Sequence, residues 1–246
     1  MTAALIVLGL LAGWELIARV GSVDPLILPA PTQVAEALWE DRSLLAPDLW
    51  TTAYEVLLGL ALAVAAGVAL ALAMHLVPAL RRALRPLVIG SQAVPVPVIA
   101  PLVILVLGFG LAPKVLLVAL VCFFPITVNL ADGLRAADPD ARRLLRSFDA
   151  TRWQSLRLVE APAALPAAFT GLKVAAAVAV IGAVFAEWAG ADQGLGHALL
   201  IANSQLATAR AFAATFLLFL LAIALYGACA LLERRVVTWI PDHGER

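Results

Sequence analysis

Charged residues are scarce in this sequence. Lys, Arg, Asp and Glu make up 14% of its 246 residues, whereas soluble domains usually carry about a quarter. Because 63% of the residues are hydrophobic and the mean hydropathy is +0.97, a globular core of this length cannot absorb the apolar surface. Lipid is therefore the expected solvent for most of the chain. The net charge is zero, so bulk charge points to no partner, and we expect no nucleic acid among them.

Cysteine and histidine are also rare. The two cysteines, Cys122 and Cys229, lie in apolar runs without metal-ligand spacing, so a disulfide framework is excluded and both are interpreted as buried small side chains. The three histidines at 75, 197 and 243 stand apart, with no His/Glu/Asp cluster or Ser–His pair, so we expect neither a metal site nor an enzyme. The sequence contains no GxxxxGK[ST] loop for nucleotide phosphates.

Six apolar runs are long enough to cross a bilayer. The predicted spans are roughly 3–20, 52–76, 87–108, 113–131, 168–188 and 211–232. All are expected to be helices, because an open sheet would leave backbone groups unpaired in lipid. No basic residue precedes the first run, which favours a retained span over a signal peptide. We therefore expect an all-α integral membrane protein in two parts, residues 1–50 (a transmembrane helix and an outer interfacial segment) and 51–246 (a five-helix core with a loop at about 132–167).

Basic residues predict the orientation. If the N-terminus is cytoplasmic, 13 of the 17 Lys and Arg residues fall in the inside segments 77–86, 132–173 and 233–246. Such a bias predicts a multi-pass protein of the cell (inner) membrane with both termini in the cytoplasm. In the outer segment 21–51, prolines followed by Thr32 as N-cap favour a short helix on the outer leaflet, although a plain extracellular loop is the alternative.

The polar stretch in the middle of the chain contains two helix start signals. Asp138 and Thr151 are placed to cap two short helices, and the first carries an apolar stripe opposite its arginines. Phe148 and Trp153 would lie near the tip of this loop, and Pro162 with Pro166 would separate it from the fifth span. An apolar tip ringed by arginine is typical of a docking surface; the alternative is that both aromatic rings fold back into the membrane interface.

The pattern LLRSFDATRWQSLRLVEAPAALPAAFTGLKVA resembles the EAA-type cytoplasmic loop of type I ABC importer permeases, which work with binding proteins. LPAPTQV resembles the outer motif of this family, VPVPVIAPLVILVLGFGLAPKVLLVALVCFFPITVN its third and fourth spans, and IGAVFAEWAGADQGLGHALLIANSQ its fifth span and the following outer loop. The likeness covers roughly residues 25 to 240. It is strongest for the branch that handles nitrate, alkanesulfonates, taurine and pyrimidine precursors of thiamine.

This resemblance implies the type I ABC importer permease fold with a cytoplasmic coupling loop. It assigns ATPase coupling to Arg143, Leu144, Leu145, Arg146, Phe148, Asp149, Ala150, Thr151, Arg152 and Trp153. The family's leading glutamate and its glycine fall on Arg143 and Asp149. Aspartate tolerates a left-handed turn, whereas Arg143 puts in doubt the salt bridge that the glutamate would make.

The resemblance also implies partners and a mechanism. The implied partners are two copies of an ABC ATPase, an extracytoplasmic substrate-binding protein, membrane lipid and a second permease copy, which is expected to be identical. The ATPase copies would bind ATP and Mg, and this chain is expected to bind no cofactor. Alternating access would be driven by ATP through the coupling loop. Candidate residues of the translocation path are Ser91, Gln92, Pro95, Pro97, Asn129 and Glu187, although helix-to-helix hydrogen bonding for Gln92 and Asn129, and a solvated outer mouth for Glu187, are the alternatives.

The expected substrate is a small solute of the hydroxymethylpyrimidine type, a thiamine precursor. Alkanesulfonate, taurine or nitrate is the alternative within the same permease role. A stand-alone secondary transporter is a different class; it would need ion-coupling groups inside the spans and would often show inverted repeats, and the sequence shows few of the first and none of the second.

Overall fold

The computed structural model describes residues 2–21 and 24–239, and these contain helices and no strand. Eleven α-helices are found in this part of the chain: α1 Thr2–Val20, α2 Pro31–Glu40, α3 Arg42–Leu76, α4 Pro78–Gly90, α5 Val96–Leu107, α6 Leu111–Ala136, α7 Pro139–Ser147, α8 Arg152–Ser155, α9 Ala161–Gly190, α10 Leu195–Ser204 and α11 Thr208–Val236. The predicted cytoplasmic C-terminus, with His243 and Arg246, lies outside the described residues.

Helix α6 lies at the centre of the bundle. Its most extensive contacts are with α9 on one side and α3 on the other, and α11 packs against α9. Small and β-branched side chains form the interior, including Val56, Val118, Cys122 and Ala179, all fully buried. Two ends can be defined by their helices: the loop end carries α7 and α8, and the far end carries α2 and α10.

The third predicted span, 87–108, is broken rather than continuous. Helix α4 passes through a 3₁₀ turn at Ser91–Ala93, and α5 then leaves at an angle of 102°. Proline explains the break, because Pro95 forces Val94 into an extended conformation with φ −90° and ψ 118°. Helix α5 has 12 residues and measures about 18 Å, which is short of a hydrocarbon core of about 30 Å. The expectation of a single helix over roughly 87–108 was therefore wrong.

The fifth span is longer than the sequence indicates. A π-helical turn at Leu156–Glu160 joins α8 to α9, so that one helix of 39 residues runs from Arg152 to Gly190. Pro162 directly follows this π-helical turn, in which the Ala161 N–H donates to Leu156 O, and the helix continues past the proline. The expectation that Pro162 and Pro166 separate the loop from this span was therefore wrong.

The number of spans is supported in part. Among the described residues, α3, α6, the joined α8–α9 helix and α11 are long and apolar enough to cross a membrane, and the bent pair α4–α5 would make a fifth. Crossing by α1 would make six, and this stays a prediction.

The expected helix in the outer segment is present as α2. Its N-cap is Ala30, whose N–H donates to Gln33 Oε1 at 2.8 Å, so the assignment of Thr32 as N-cap was wrong.

Glycines let α6 approach its neighbours closely. A Cβ at Gly171 of α9 would lie 2.5 Å from the carbonyl oxygen of Pro125 in α6, and one at Gly59 of α3 would lie 2.4 Å from Val118 Cβ. Real Cβ atoms do not approach other atoms so closely, and the first contact is with backbone that cannot rotate away. Close backbone approach is a common means of helix association in lipid.

We predict that Gly171→Ala lowers the stability of the bundle by about 1–3 kcal/mol, because the added methyl group must push α9 away from α6. Thermal unfolding of the purified protein in detergent measures this. Gly227→Ala in α11 is the matched control, since its Cβ would meet nothing within 4 Å. Equal midpoints for the two variants would contradict the proposed close contact.

Candidate functional site

The turn after α7 has a Schellman geometry. Asp149 adopts φ 54°, the Ala150 N–H donates to Leu145 O at 3.1 Å, and the Asp149 N–H donates to Arg146 O at 3.1 Å. These two bonds satisfy carbonyls at the end of α7. The left-handed turn expected at Asp149 is confirmed, and it is made with aspartate where glycine is more usual.

Side-chain caps start both helices of the loop. The Asp138 carboxylate accepts from the Asp140 N–H at 2.8 Å. Thr151 Oγ1 accepts from the Gln154 N–H at 3.3 Å, and Gln154 Oε1 accepts from the Thr151 N–H at 2.7 Å, which completes a capping box. Both predicted caps are confirmed, and they fix the direction in which the chain leaves the turn.

Apolar side chains remain uncovered at the tip of the loop. Phe148 is 74% exposed, Trp153 65% and Leu144 60%. The aromatic rings therefore do not fold back onto the described part of this chain. Arg143 pairs with Asp140 at 2.7 Å on the same exposed surface, so its charge is already partly compensated where the family pattern has a glutamate. We call Leu144, Phe148 and Trp153 the apolar tip.

The fifth-span helix is tied to α3 at the base of the loop. His75 Nε2 lies 2.6 Å from Glu160 Oε2, and Ser155 Oγ donates to Glu160 Oε1 at 3.2 Å. Arg152 of α8 also donates to the carbonyl of Leu76 at 3.2 Å. Helix α8 is therefore connected both to α9, through the continuous helix, and to the end of α3.

At the far end, side chains from two spans cap α10. The first four N–H groups of a helix have no partner within it, and here each has one. Asp48 accepts from the Gly194 N–H at 2.8 Å, Thr52 Oγ1 accepts from the Leu195 N–H at 2.8 Å, and Glu187 Oε2 accepts from the N–H groups of residues 196 and 197 at 2.5 and 3.2 Å. We call Asp48, Thr52 and Glu187 the α10 cap.

The same cap explains the glycines at this position. Gly194 has φ 118°, and a Cβ there would lie 2.3 Å from the Glu187 carboxyl carbon. A Cβ at Gly196 would lie 2.8 Å from Glu187 Oε2. The two glycines form a tight turn, and the carboxylate that fills it is fully buried, also accepting from Thr52 Oγ1 at 2.7 Å.

A second buried carboxylate links α3 to α6. Lys114 Nζ lies 2.7 Å from Glu55 Oε1, with both side chains less than a tenth exposed. Removing one partner of such a pair leaves an uncompensated charge in an apolar interior, which is strongly destabilising. This pair fixes the start of α6 against α3 near the α10 cap.

The predicted path residues do not form one surface within the chain. Ser91, Gln92, Pro95 and Pro97 lie together at the break between α4 and α5, where Gln92 and both prolines are exposed. Asn129 is half-buried on α6 and donates to the Pro125 carbonyl at 2.7 Å.

Glu187 lies at the opposite end, and it is only 1% exposed. The expectation of a solvated mouth at Glu187 was therefore wrong: its carboxylate caps α10. A place for Glu187 on the translocation path stays a prediction.

Sequence reasoning missed Glu55, His75 and Glu160. It also missed Asp48 and Thr52, the two residues of α3 that cap α10. An acid at the edge of a span, as at Glu55, was an available signal, because ionisable groups at membrane depth usually have partners. Its partner Lys114 is 59 positions away, and neither periodicity nor spacing joins two such positions.

We predict that Glu187→Ala loosens α10 while the spans remain folded, because two N–H groups and the Thr52 hydroxyl lose their acceptor. Hydrogen exchange at the amides of residues 196 and 197 should become about ten- to hundredfold faster. Glu36→Ala, which removes an exposed carboxylate from α2, is the control and should leave both amides unchanged. Unaltered protection in Glu187→Ala would refute the cap.

Known proteins resemble this chain over nearly its whole length. A probable ABC transporter permease of Haemophilus influenzae is 36% identical over 222 residues, which is 90% of this chain and 91% of the relative. The formylaminopyrimidine transport permease ThiX of Halalkalibacterium halodurans is 36% identical, covering 92% of this chain and 90% of the relative. The riboflavin transport permease RibX of Chloroflexus aurantiacus is 38% identical, covering 94% and 87%. The taurine transport permease TauC of Escherichia coli is 31% identical, covering 96% and 87%.

The fold is shared with a solved transporter. A crystal structure of an amino acid ABC transporter with histidines matches with a TM-score of 0.64 at 17% identity, covering 81% of this chain and 97% of that one. Residues 61–238 also match the family described as the binding-protein-dependent transport system inner membrane component. With its apolar helices and its loop between two spans, the chain belongs to this family. It is a non-enzymatic permease subunit of an ABC importer in the inner membrane, and it works with an ATPase and a substrate-binding protein.

Proposed function

We propose that this permease forms the path for a small uncharged nitrogen heterocycle, of the hydroxymethylpyrimidine type that serves as a thiamine precursor. The observation that carries the proposal is the absence of charge from the end of α4 through α5. Residues 86–113 contain no Asp, Glu, Lys or Arg. An anion crossing this region would give up its hydration without meeting a cation, and that transfer is costly.

Three cations away from the loop end already have partners. Lys114 pairs with Glu55, Lys173 with Glu233 at 2.7 Å, and Arg210 forms two hydrogen bonds to Asp41 at 2.7 and 3.0 Å. A sulfonate would have to compete with these carboxylates for a cation. A neutral heterocycle needs only hydrogen-bonding groups and apolar walls, which Ser91 and Gln92 and the apolar side chains of α5 supply.

The names of the relatives support the same substrate class. Two of the permeases described above, at 36% and 38% identity, carry names that refer to formylaminopyrimidine and riboflavin, both nitrogen heterocycles. The taurine permease, at 31% identity, supports the alternative of a sulfonate substrate within the same permease role. Membership of the importer family leaves a stand-alone secondary transporter without support.

The proposed assembly contains two identical permease copies and two ATPase subunits that bind ATP and Mg. Large apolar side chains at the end of α5 and just after it are uncovered, with Leu105, Val106 and Phe109 each at least 80% exposed, and a second copy or lipid would cover them. We place both termini and the apolar tip on the cytoplasmic side. Ser91, Gln92, Pro95, Pro97 and Asn129 are assigned to the path, between the two copies.

The coupling loop, Arg143–Arg146 and Phe148–Trp153, is proposed to dock on the ATPase through the apolar tip. Its caps and the Schellman turn hold Phe148 and Trp153 in fixed positions, so docking would cost little ordering entropy. When the ATPase subunits close, the tip would move with them, and the unbroken helix Arg152–Gly190 would carry this movement through the membrane to the α10 cap.

We predict that the reconstituted importer, with its own ATPase and binding protein, takes up hydroxymethylpyrimidine with ATP about tenfold or more faster than taurine. Accumulation of each radiolabelled compound in proteoliposomes measures this, and vesicles without ATP are the control. Taurine uptake equal to or above that of the pyrimidine would overturn the heterocycle assignment.

We predict that Phe148→Ala combined with Trp153→Ala uncouples transport from ATP hydrolysis, because truncating two central aromatic anchors typically removes most of the binding energy of an interface. Uptake should fall about a hundredfold while the permease still inserts and folds. Leu158→Ala is the matched control, since Leu158 is 61% exposed but lies in the π-helical turn, away from the tip. Normal uptake in the double variant would show that the tip does not dock.

A further inference from the structure

Five arginines converge on one cavity at the loop end. The cavity has a volume of about 540 Å³, within the size range of small-molecule pockets, about 300–1,000 Å³. Its cationic side chains come from four helices: Arg81 of α4, Arg135 of α6, Arg142 and Arg146 of α7, and Arg152 of α8. We call this space the arginine cavity. Convergence from separate helices distinguishes it from a run of basic residues along one solvated face.

The arginine cavity contains far more positive than negative charge. Glu160 is its single carboxylate, and this group is already engaged by His75 at 2.6 Å and by Ser155 at 3.2 Å. Its nearest arginine contact is Arg142 at 4.0 Å. Five guanidinium groups therefore face one occupied carboxylate, which makes the cavity strongly attractive to anions.

The hydrogen bonds of these arginines leave most of their donors unused. Arg142 donates to the carbonyl of Ala137 at 3.0 Å and Arg152 to that of Leu76 at 3.2 Å, and both acceptors are neutral. The guanidinium groups of Arg81, Arg135 and Arg146 make no hydrogen bond or ion pair among the described residues. Each guanidinium has five N–H donors in a planar fork, so the wall of the cavity offers many donors.

The chemistry that matches this arrangement is a phosphate group. Arginine binds phosphate through paired N–H···O bonds, and several arginines around one site can share its oxygens. A basic pocket at the ends of spans on the cytoplasmic side is also where an anionic lipid headgroup can reach. A phospholipid headgroup and a soluble phosphate ester present the same oxygens to the guanidinium groups.

We propose that the arginine cavity is a binding site for a phosphate-bearing anion, supplied either by an anionic phospholipid or by a soluble phosphate ester. The site is independent of the transported solute, and it rests on the proposed cytoplasmic placement of the loop end. Bound phosphate would join α4, α6, α7 and α8, and would therefore stiffen the connection between the coupling loop and the bundle.

The test uses the intact importer, containing the permease, its ATPase and its binding protein, and the variant Arg81→Gln with Arg135→Gln. These two residues line the cavity but do not belong to the coupling loop. Arg234→Gln with Arg235→Gln is the matched control, because it removes the same charge from exposed arginines at the end of α11, outside the cavity. Native mass spectrometry counts phosphatidylglycerol retained per permease, with phosphatidylcholine as the neutral lipid.

We expect the wild-type complex and the control to retain phosphatidylglycerol in preference to phosphatidylcholine, and the cavity variant to bind it about tenfold or more weakly. Titration with inorganic phosphate then identifies the source. If millimolar phosphate leaves the lipid bound, a headgroup occupies the site; if phosphate displaces it, or binds the wild type but not the cavity variant, the site takes soluble phosphate esters.

Equal retention by all three proteins, with no phosphate binding sensitive to Arg81 and Arg135, would overturn the proposal. The same holds if neither probe binds the intact importer but both bind the permease freed of its ATPase, since acidic residues of the ATPase would then fill the cavity. These readouts measure binding and do not depend on solute uptake, so failure here is distinguishable from failure of the proposed substrate.

Discussion

The close contact between α6 and α9 is the constraint on which the rest of the structure depends. Lipid provides no hydrophobic drive to bring helices together, so association relies on packing and hydrogen bonds. Glycines at 171 and 182 of α9 bring its backbone against α6, and Gly59 does the same for α3. Because these three helices are fixed by contacts with little room for adjustment, polar groups at their ends can meet with hydrogen-bonding precision.

This packing holds the longest described helix of the chain in place. The helix Arg152–Gly190 begins in the loop, passes α6 and ends at the α10 cap, a length of about 58 Å for an ideal α-helix. His75 and Glu160 attach it to α3 at one end, and Thr52 and Glu187 do so at the other, with distances of 2.6 and 2.7 Å. In the proposed mechanism, this anchored helix carries the displacement of the coupling loop to the α10 cap.

Features with local causes were predictable from the sequence. Helix caps at Asp138 and Thr151 and the left-handed turn at Asp149 depend on residues within five positions of one another, and long apolar runs identify α3, α6, α9 and α11. Two other local features were missed. The break at Pro95 was missed because a hydropathy window averages over it, and the continuity through Pro162 was missed because a π-helical turn changes the hydrogen-bonding register just before it.

The positions of charged side chains follow from the free energy of removing them from water. Within the bundle, Glu55 and Lys114 neutralise each other at 2.7 Å, and residues 86–113 contain no Asp, Glu, Lys or Arg. At the loop end, where water and lipid headgroups are accessible, five arginines line a cavity whose single carboxylate is Glu160. Burying a cation without a partner costs free energy, whereas a cation facing water keeps its hydration. The arginines at this end can therefore remain unpaired within the chain and bind an anion from outside it. In the proposed mechanism, this arrangement separates an uncharged route for the solute from a charged surface for partners.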